Sequence, residues 1–250
     1  MSDESLIGVP VCIKESDNVL WFNKPSGWLI TKHPWFQSLP DIRSWAIEKS
    51  EIASRSSFLG SAYHLDPEIT GLSLLVKDSK LRRCYRNIYG SQEFQFFFRF
   101  LVKHPPASKK LICDLPLLHK ESNNLVKVSH AGGKKTQTVF CEIEQLGNFG
   151  LWEARTTYLR LKQIRIHAME VGLNIVNDIV YGDSKLLYLS DLKLKYQLKK
   201  SDRMEFPIYE NLSIHLKKVE FRTPLNDIRV QECPFPKKWE VLYKQIRKYG

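Results

Sequence analysis

The residues of this chain that could do chemistry are few, and one acid stands out by its setting. Asp66 lies in Tyr63-His64-Leu65-Asp66-Pro67-Glu68-Ile69-Thr70-Gly71-Leu72, just ahead of a turn marked by Pro67 and Gly71. The turn feeds the apolar run Ser73-Leu74-Leu75-Val76, so one carboxylate can be held rigidly at the edge of a cleft. Taken alone, the same acid also suits a role in shaping the turn. Lys24, in Asn23-Lys24-Pro25-Ser26-Gly27, can touch a phosphate or a substrate, or stand solvated in its own turn. Arg165 lies in a segment where Leu161, Ile164, Ala168 and Val171 recur at helical spacing. Lys162, Arg165 and Met169 then share another face, which predicts that Arg165 projects away from the core.

Other chemistries lack their spacing. Gly132-Gly133-Lys134-Lys135 does not have the pattern of a nucleotide P-loop and reads as a basic hairpin turn. The five cysteines, Cys12, Cys84, Cys113, Cys141 and Cys233, form no Cys-x-x-Cys pair, so neither a zinc site nor a disulfide framework is indicated. No cofactor or metal is expected.

The formal net charge of +11, from 38 Lys and Arg against 27 Asp and Glu, points to a polyanion, and phosphate backbone is the commonest one. Lys80, Arg82, Arg83 and Arg86 crowd one predicted helix, as either a solvated face or a surface turned to RNA. With no apolar run of membrane-span length and an acidic rather than signal-like start, an intracellular, cytoplasmic protein is expected, and a monomer.

The elements that must position these residues are short. Ile7–Ile13, Val19–Phe22 and Trp28–Ile30 read as strands around the Pro25–Gly27 break. A helix is predicted over 38–55, with Asp41 as N-cap and Ile42, Trp45, Ala46 and Ile52 inward, and another over Ser79–Tyr89, stopped by Gly90. Phe94–Val102 is an aromatic-rich strand, and Val139–Ile143 and Leu151–Arg155 are likewise strands. Gly172 closes the Arg165 helix. A lysine-rich insert at about 183–212 reads as a loop or partial helix, followed by strands Ser213–Phe221 and Asp227–Glu232 and a short C-terminal segment. Short strands with a few helices give an α+β class with a mixed, largely antiparallel sheet, in one domain over 1–250.

In this order the features resemble the RluA-type RNA pseudouridine synthases over about residues 10–245. Asn23-Lys24-Pro25-Ser26-Gly27 resembles that family's "NKPxG". Tyr63-His64-Leu65-Asp66 with Thr70-Gly71-Leu72 resembles "HRLDxxTSGL", and Lys134-Lys135-Thr136-Gln137-Thr138 resembles its basic segment. Gln163-Ile164-Arg165-Ile166-His167, with Val171-Gly172, Ile175-Val176, Asp178 and Tyr181-Gly182, resembles "HQIRVHxxxxGHPIVGDxxYG", and Ile214-His215-Leu216 a late "LHA" strand. No S4-type domain is expected before the first strand.

The resemblance implies a pseudouridine synthase-like fold and cofactor-free isomerisation of uridine in ribosomal or transfer RNA. Asp66 would be the nucleophile and Arg165 its charge partner. Phe98, His64, Ile175 and Val176 would bind the target nucleotide; Lys24, Arg160, Lys162, Lys134 and Lys135 would contact RNA. The sequence departs from the pattern in four places. His64 stands where the family has arginine, Pro67-Glu68 follow the acid, Phe98 aligns on the family's pocket tyrosine, and of the lead-in "TGRTHQIR" only Arg160 and Gln163-Ile164-Arg165 are kept. The alternative is a catalytically inactive RNA-binding relative acting in ribosome assembly or as an RNA chaperone.

Overall fold

The computed structural model describes residues 8–49, 58–120, 125–182, 185–198 and 203–250. Strands β1 (Val11–Glu15) and β2 (Val19–Lys24) form an antiparallel pair. The expected strand at Trp28–Ile30 reduces to a single parallel bridge between Leu29 and Asp41, because Pro25 and the positive φ of Gly27 (82°) have already turned the chain. Helix α1 (Ile42–Lys49) starts where predicted: Asp41 Oδ1 accepts from the Ser44 N–H at 2.9 Å, and Ile42 and Ala46 are buried. Ile52, expected on the same face, lies outside the described residues.

Strand β3 (Thr70–Val76) is buried throughout and leads to helix α2 (Ser79–Gly90), capped by Asp78 Oδ1 on the Leu81 N–H at 2.8 Å. The helix ends at Gly90, as expected, while the left-handed turn that follows falls on Gln92 at φ 61°. Strand β4 (Phe94–Lys103) is central and buried on both faces over most of its length. Strands β5 (Lys110–Cys113), β6 (Leu117–Lys120) and β7 (Leu125–Val128) follow, β6 and β7 forming a separate hairpin. Gly132-Gly133 turns the chain back so that Lys134 and Leu117 exchange N–H···O bonds at 2.9 and 3.1 Å. Next come β8 (Thr138–Leu146), β9 (Phe149–Thr156), helix α3 (Gln163–Glu170) and the two-residue β10 (Asn174–Ile175). In the lysine-rich segment, α4 (Leu189–Leu192) is one turn. The chain ends in β11 (Ile214–Arg222), β12 (Ile228–Glu232) and α5 (Lys237–Tyr249), a full helix with Trp239, Leu242 and Ile246 buried.

One ten-stranded sheet results, in the order β1-β2-β3-β11-β4-β9-β8-β5, with β10 on β4 and β12 on β11. All its strand pairs are antiparallel except β3 with β11. That parallel contact is close: a Cβ on Gly71, which has φ 121°, would lie 2.4 Å from the Leu216 carbonyl oxygen. The mixed α+β architecture read from the sequence is the one observed. Burial of Leu20, Phe22, Leu72, Phe96, Phe98 and Leu216 makes the main core.

Candidate active site

The start of β3 is fixed before any ligand is considered. The Lys24 side chain is fully buried, and its ammonium donates to the carbonyls of Pro25, Trp28 and Pro67 at 3.2, 2.8 and 2.9 Å. Three acceptors match the three protons of an ammonium. The Gly27 N–H also donates to the Pro67 carbonyl at 2.9 Å, and Ser26 Oγ to that of Glu68 at 3.1 Å. The Asn23–Gly27 turn therefore clamps the turn that follows Asp66. Lys24 is thus not the RNA-facing lysine expected from the sequence; its charge is used internally. Burial pushes its pKa down to about 7 against the raising influence of Glu68 and Asp66.

Asp66 meets the start of α3. Its Oδ2 accepts the Lys162 backbone N–H at 2.8 Å, and Lys162 adopts the left-handed φ of 57° just ahead of Gln163. The helix start is anchored by buried Gln163, whose Nε2 donates to Gln137 O, Thr138 Oγ1 and Thr156 Oγ1 at 3.2, 3.1 and 3.1 Å, while its Oε1 accepts the Arg160 N–H. Burial and the neighbouring Glu68 raise the Asp66 pKa to about 7, opposed by the Lys162 N–H, Arg165 and Lys24.

Arg165 does not project from the protein. It is 4% exposed and donates through Nε and Nη2 to both Asp178 oxygens, at 2.8 and 2.7 Å. A further nitrogen lies 3.3 Å from Glu68 Oε1, and the guanidinium sits 4.9 Å from the centre of the Tyr181 ring. Its action on Asp66 is electrostatic; Asp178, from the loop after β10, is its direct partner. Helical spacing alone put Arg165 on an outer face because it carries no sign of the later loop that covers it.

A cavity of about 180 Å³ opens over Asp66. Phe98 and Ile69 line it from the sheet, Leu159 and Arg160 from the lead to α3, and His64 and Trp35 from the opposite side. Phe98 pairs with Leu216 and Ala154 on the neighbouring strands, which fixes its ring. The His64 ring lies 5.5 Å from that of His33, and the Trp35 ring 3.9 Å from that of His119 on the β6–β7 hairpin. His64 as a residue is exposed, yet crowding of its ring first, and repulsion by His33, Arg86 and Arg82, lower its pKa to about 4. It presents a neutral ring at neutral pH.

The structure thus brings Asp66, Phe98, His64 and Arg160 to one cavity, with Lys162 touching it through its backbone. Arg160 stacks 5.0 Å over Tyr158 and donates to the Lys135 carbonyl at 3.3 and 3.1 Å, which places exposed Lys134 and Lys135 beside the mouth. Ile175 and Val176 are not cavity residues. They are buried where β10 joins β4, and Val176 packs toward Leu187 and Tyr209. Glu68, Gln163, Asp178, His33 and Trp35 have places in or around the site that spacing did not assign. Of these, Glu68, Gln163 and Asp178 fall inside the motif segments, which was the one available signal.

No protein-family model matches the chain. A ribosomal large subunit pseudouridine synthase C from Vibrio parahaemolyticus is 27% identical over 240 residues, covering 94% of this chain and 69% of the relative. Another of the same name from Vibrio cholerae is 27% identical over 175 residues, and there the match spans about half of the relative, 53%. Among solved structures, Human RNA Pseudouridylate Synthase Domain Containing 4 superposes with a TM-score of 0.73 at 15% identity, over 94% of this chain and 92% of that one. Human RNA Pseudouridylate Synthase Domain Containing 1 gives a TM-score of 0.65 at 12% identity, over 91% and 84%. The fold is that of the RNA pseudouridylate synthases, and the sequence likeness to a ribosomal large subunit pseudouridine synthase C runs nearly end to end through this chain.

Proposed function

We propose that this protein is an RNA pseudouridine synthase that converts a uridine of ribosomal RNA, with Asp66 as nucleophile. The observation that carries the reading is the clamped carboxylate of Asp66 at the floor of a cavity walled by Phe98, with room for one pyrimidine. The carboxylate attacks the nucleotide, the bond from C1′ to N1 of uracil breaks, and the base turns. A bond from C1′ to C5 replaces it, the bond formed to Asp66 in the attack breaks and returns the free carboxylate, C5 loses its proton, and N1 gains one. The target base leaves its stack to reach the acid, and Phe98 supplies the apolar face against which it lies. Arg165 and Lys24 favour the ionised form of Asp66, while Glu68 and burial oppose it. Arg160, Lys162, Lys134 and Lys135 attract the phosphates around the mouth. The protein acts as a monomer in the cytoplasm.

One observation favours the inactive, RNA-binding reading. Phe98 has no hydroxyl to move a proton, and general acid–base help is worth about 10²–10⁴-fold. Pseudouridine mapping of RNA from cells lacking the protein decides between the two, with wild type or Asp66→Asn restored. Loss of one site that only wild type returns identifies the substrate and the nucleophile together. No altered site, with RNA binding by the purified protein intact, rules out the catalytic reading.

A further inference from the structure

We propose that Arg43, Arg82 and Arg86 form a docking site for the phosphodiester backbone of RNA on the rim of the Asp66 cavity. The inference rests on the enzyme reading only for the identity of the RNA as substrate; the site itself is argued from its own geometry. Arg82 and Arg86 are one turn apart on α2 and so share a face, and Arg43 reaches them from α1. All three converge on the segment that leads into the catalytic turn. Arg43 Nε donates to the Leu59 carbonyl at 2.8 Å, and Arg82 Nε to the Ser61 carbonyl at 3.1 Å. Each tether occupies one of five donors and aims the guanidinium.

Arg82 is held further. Its side chain crosses Gly60 so closely that a Cβ there would lie 2.6 Å from Cδ and 2.9 Å from Nε, and its guanidinium lies 5.9 Å from the centre of the Phe58 ring. A side chain at Gly60 would displace the arginine from this position.

The electrostatics of this arrangement are unfavourable by themselves. None of the three arginines pairs with a carboxylate among the described residues. Beyond its N-cap Asp78, helix α2 has no acid in its first turn, and it carries Lys80, Arg82 and Arg83 near that end. Burial first, then Arg86 and Arg43, lower the affinity of Arg82 for its proton, and the same Arg82 and Arg86 act on the His64 ring in the cavity wall. A face that served only solubility would alternate its charges. A polyanion passing the cavity mouth relieves both the mutual repulsion and the clash with the dipole.

The test is binding of the full-length chain to a fluorescein-labelled RNA hairpin with an all-uridine loop, across a KCl series. Each single-strand phosphate contact contributes about 0.7 to the slope of log affinity on log salt. The combined Arg43→Gln, Arg82→Gln and Arg86→Gln protein is expected to lower that slope by about 2 and to lose roughly tenfold or more in affinity at 0.1 M salt. Arg222→Gln with Arg229→Gln, which touches arginines already paired with Glu93 and Asp227, is expected to leave it unchanged. If the triple change does not fold by circular dichroism, exposed Arg86→Gln alone reads the same question, with an expected drop of about 0.7. An unchanged slope in the folded variant overturns the proposal and assigns the cluster to another partner. Asp66→Asn keeps the full slope. If wild type makes no pseudouridine while the arginine changes still lower the slope, the enzyme reading fails and the docking site stands.

Discussion

Beneath the Asp66 cavity each charged group has a partner, whereas on its rim Arg43, Arg82 and Arg86 stand together with no paired carboxylate among the described residues. The inner set is built from buried groups with fixed, short hydrogen bonds: Lys24 on three carbonyls, Arg165 on Asp178, Asp66 on the Lys162 N–H. In the outer set Arg43 and Arg82 are half-buried and each tethered by a single carbonyl bond, and Arg86 is exposed. The difference is between geometry and potential. Chemistry on one atom of a nucleotide needs a carboxylate placed to within a fraction of an ångström, and buried pairing supplies that. Attraction of a long polyanion needs only a field, and unmatched surface charge supplies it at long range.

That contrast can be broken, and the largest effect is expected at its centre. Asp66→Asn should lower turnover by roughly 10⁴-fold while leaving RNA affinity and its salt slope in place, as read by single-turnover conversion beside binding. A variant that loses binding as well would show that the inner set also holds the RNA. Arg165→Gln should destabilise by about 3–5 kcal/mol in urea unfolding, because the buried Asp178 side chain loses its guanidinium partner. A loss below about 1 kcal/mol would mean that water reaches the pair. Lys24→Met leaves the Pro25 and Trp28 carbonyls without donors, and that of Pro67 with the Gly27 N–H alone, and should cost about 2–4 kcal/mol, with a fall in kcat rather than a rise in KM.

Two finer expectations use the raised pKa of Asp66. Because the folded protein holds that proton up to about pH 7, ionisation of the acid works against folding more strongly as pH rises from about 4 to 7. Asp66→Asn should therefore be more stable than wild type at pH 8 by up to about 4 kcal/mol, and close to it at pH 4, in matched melting curves. The opposite order would mean that the carboxylate is stabilised in place. For the same reason, log kcat/KM of wild type should rise with a slope near one below about pH 7 and then level off. A flat profile would remove Asp66 as the group that must be ionised.

The strands were legible because alternation and β-branched or aromatic runs mark them directly, and so was the acid, since Pro67 and Gly71 advertise its turn. Lys24 was misread for a physical reason: a lysine beside a proline turn looks solvated until Trp28 and Pro67 fold over it with their carbonyls. Arg165 failed likewise, since its partner Asp178 comes from beyond the helix and periodicity describes one element at a time. Ile175 and Val176 were apolar residues in a recognised motif, but two-residue β10 turns them into the interior of the sheet, away from the cavity. Helix α5 was available in the sequence, as Trp239, Leu242, Tyr243 and Ile246 at three- and four-residue intervals. The aromatic contact between Trp35 and His119 was not, because it depends on where a separate hairpin lands.

The parallel pairing of β3 with β11 has a consequence for how the protein is born. Thr70 and His215, whose side chains meet at 2.8 Å, are 145 residues apart, and Gly71 makes its close approach to Leu216 in the same place. At ordinary synthesis rates, the acid-bearing turn leaves the ribosome about 7–30 s before the strand that must lie beside it. Strands β1 to β3 can pair with one another in that interval, but one side of β3 has no neighbour until β11 arrives. The Asp66 turn is made well before β11 and is locked only once β11 lies beside β3. A nascent chain released early would carry Asp66 on an open strand edge, a template for mispairing rather than an enzyme.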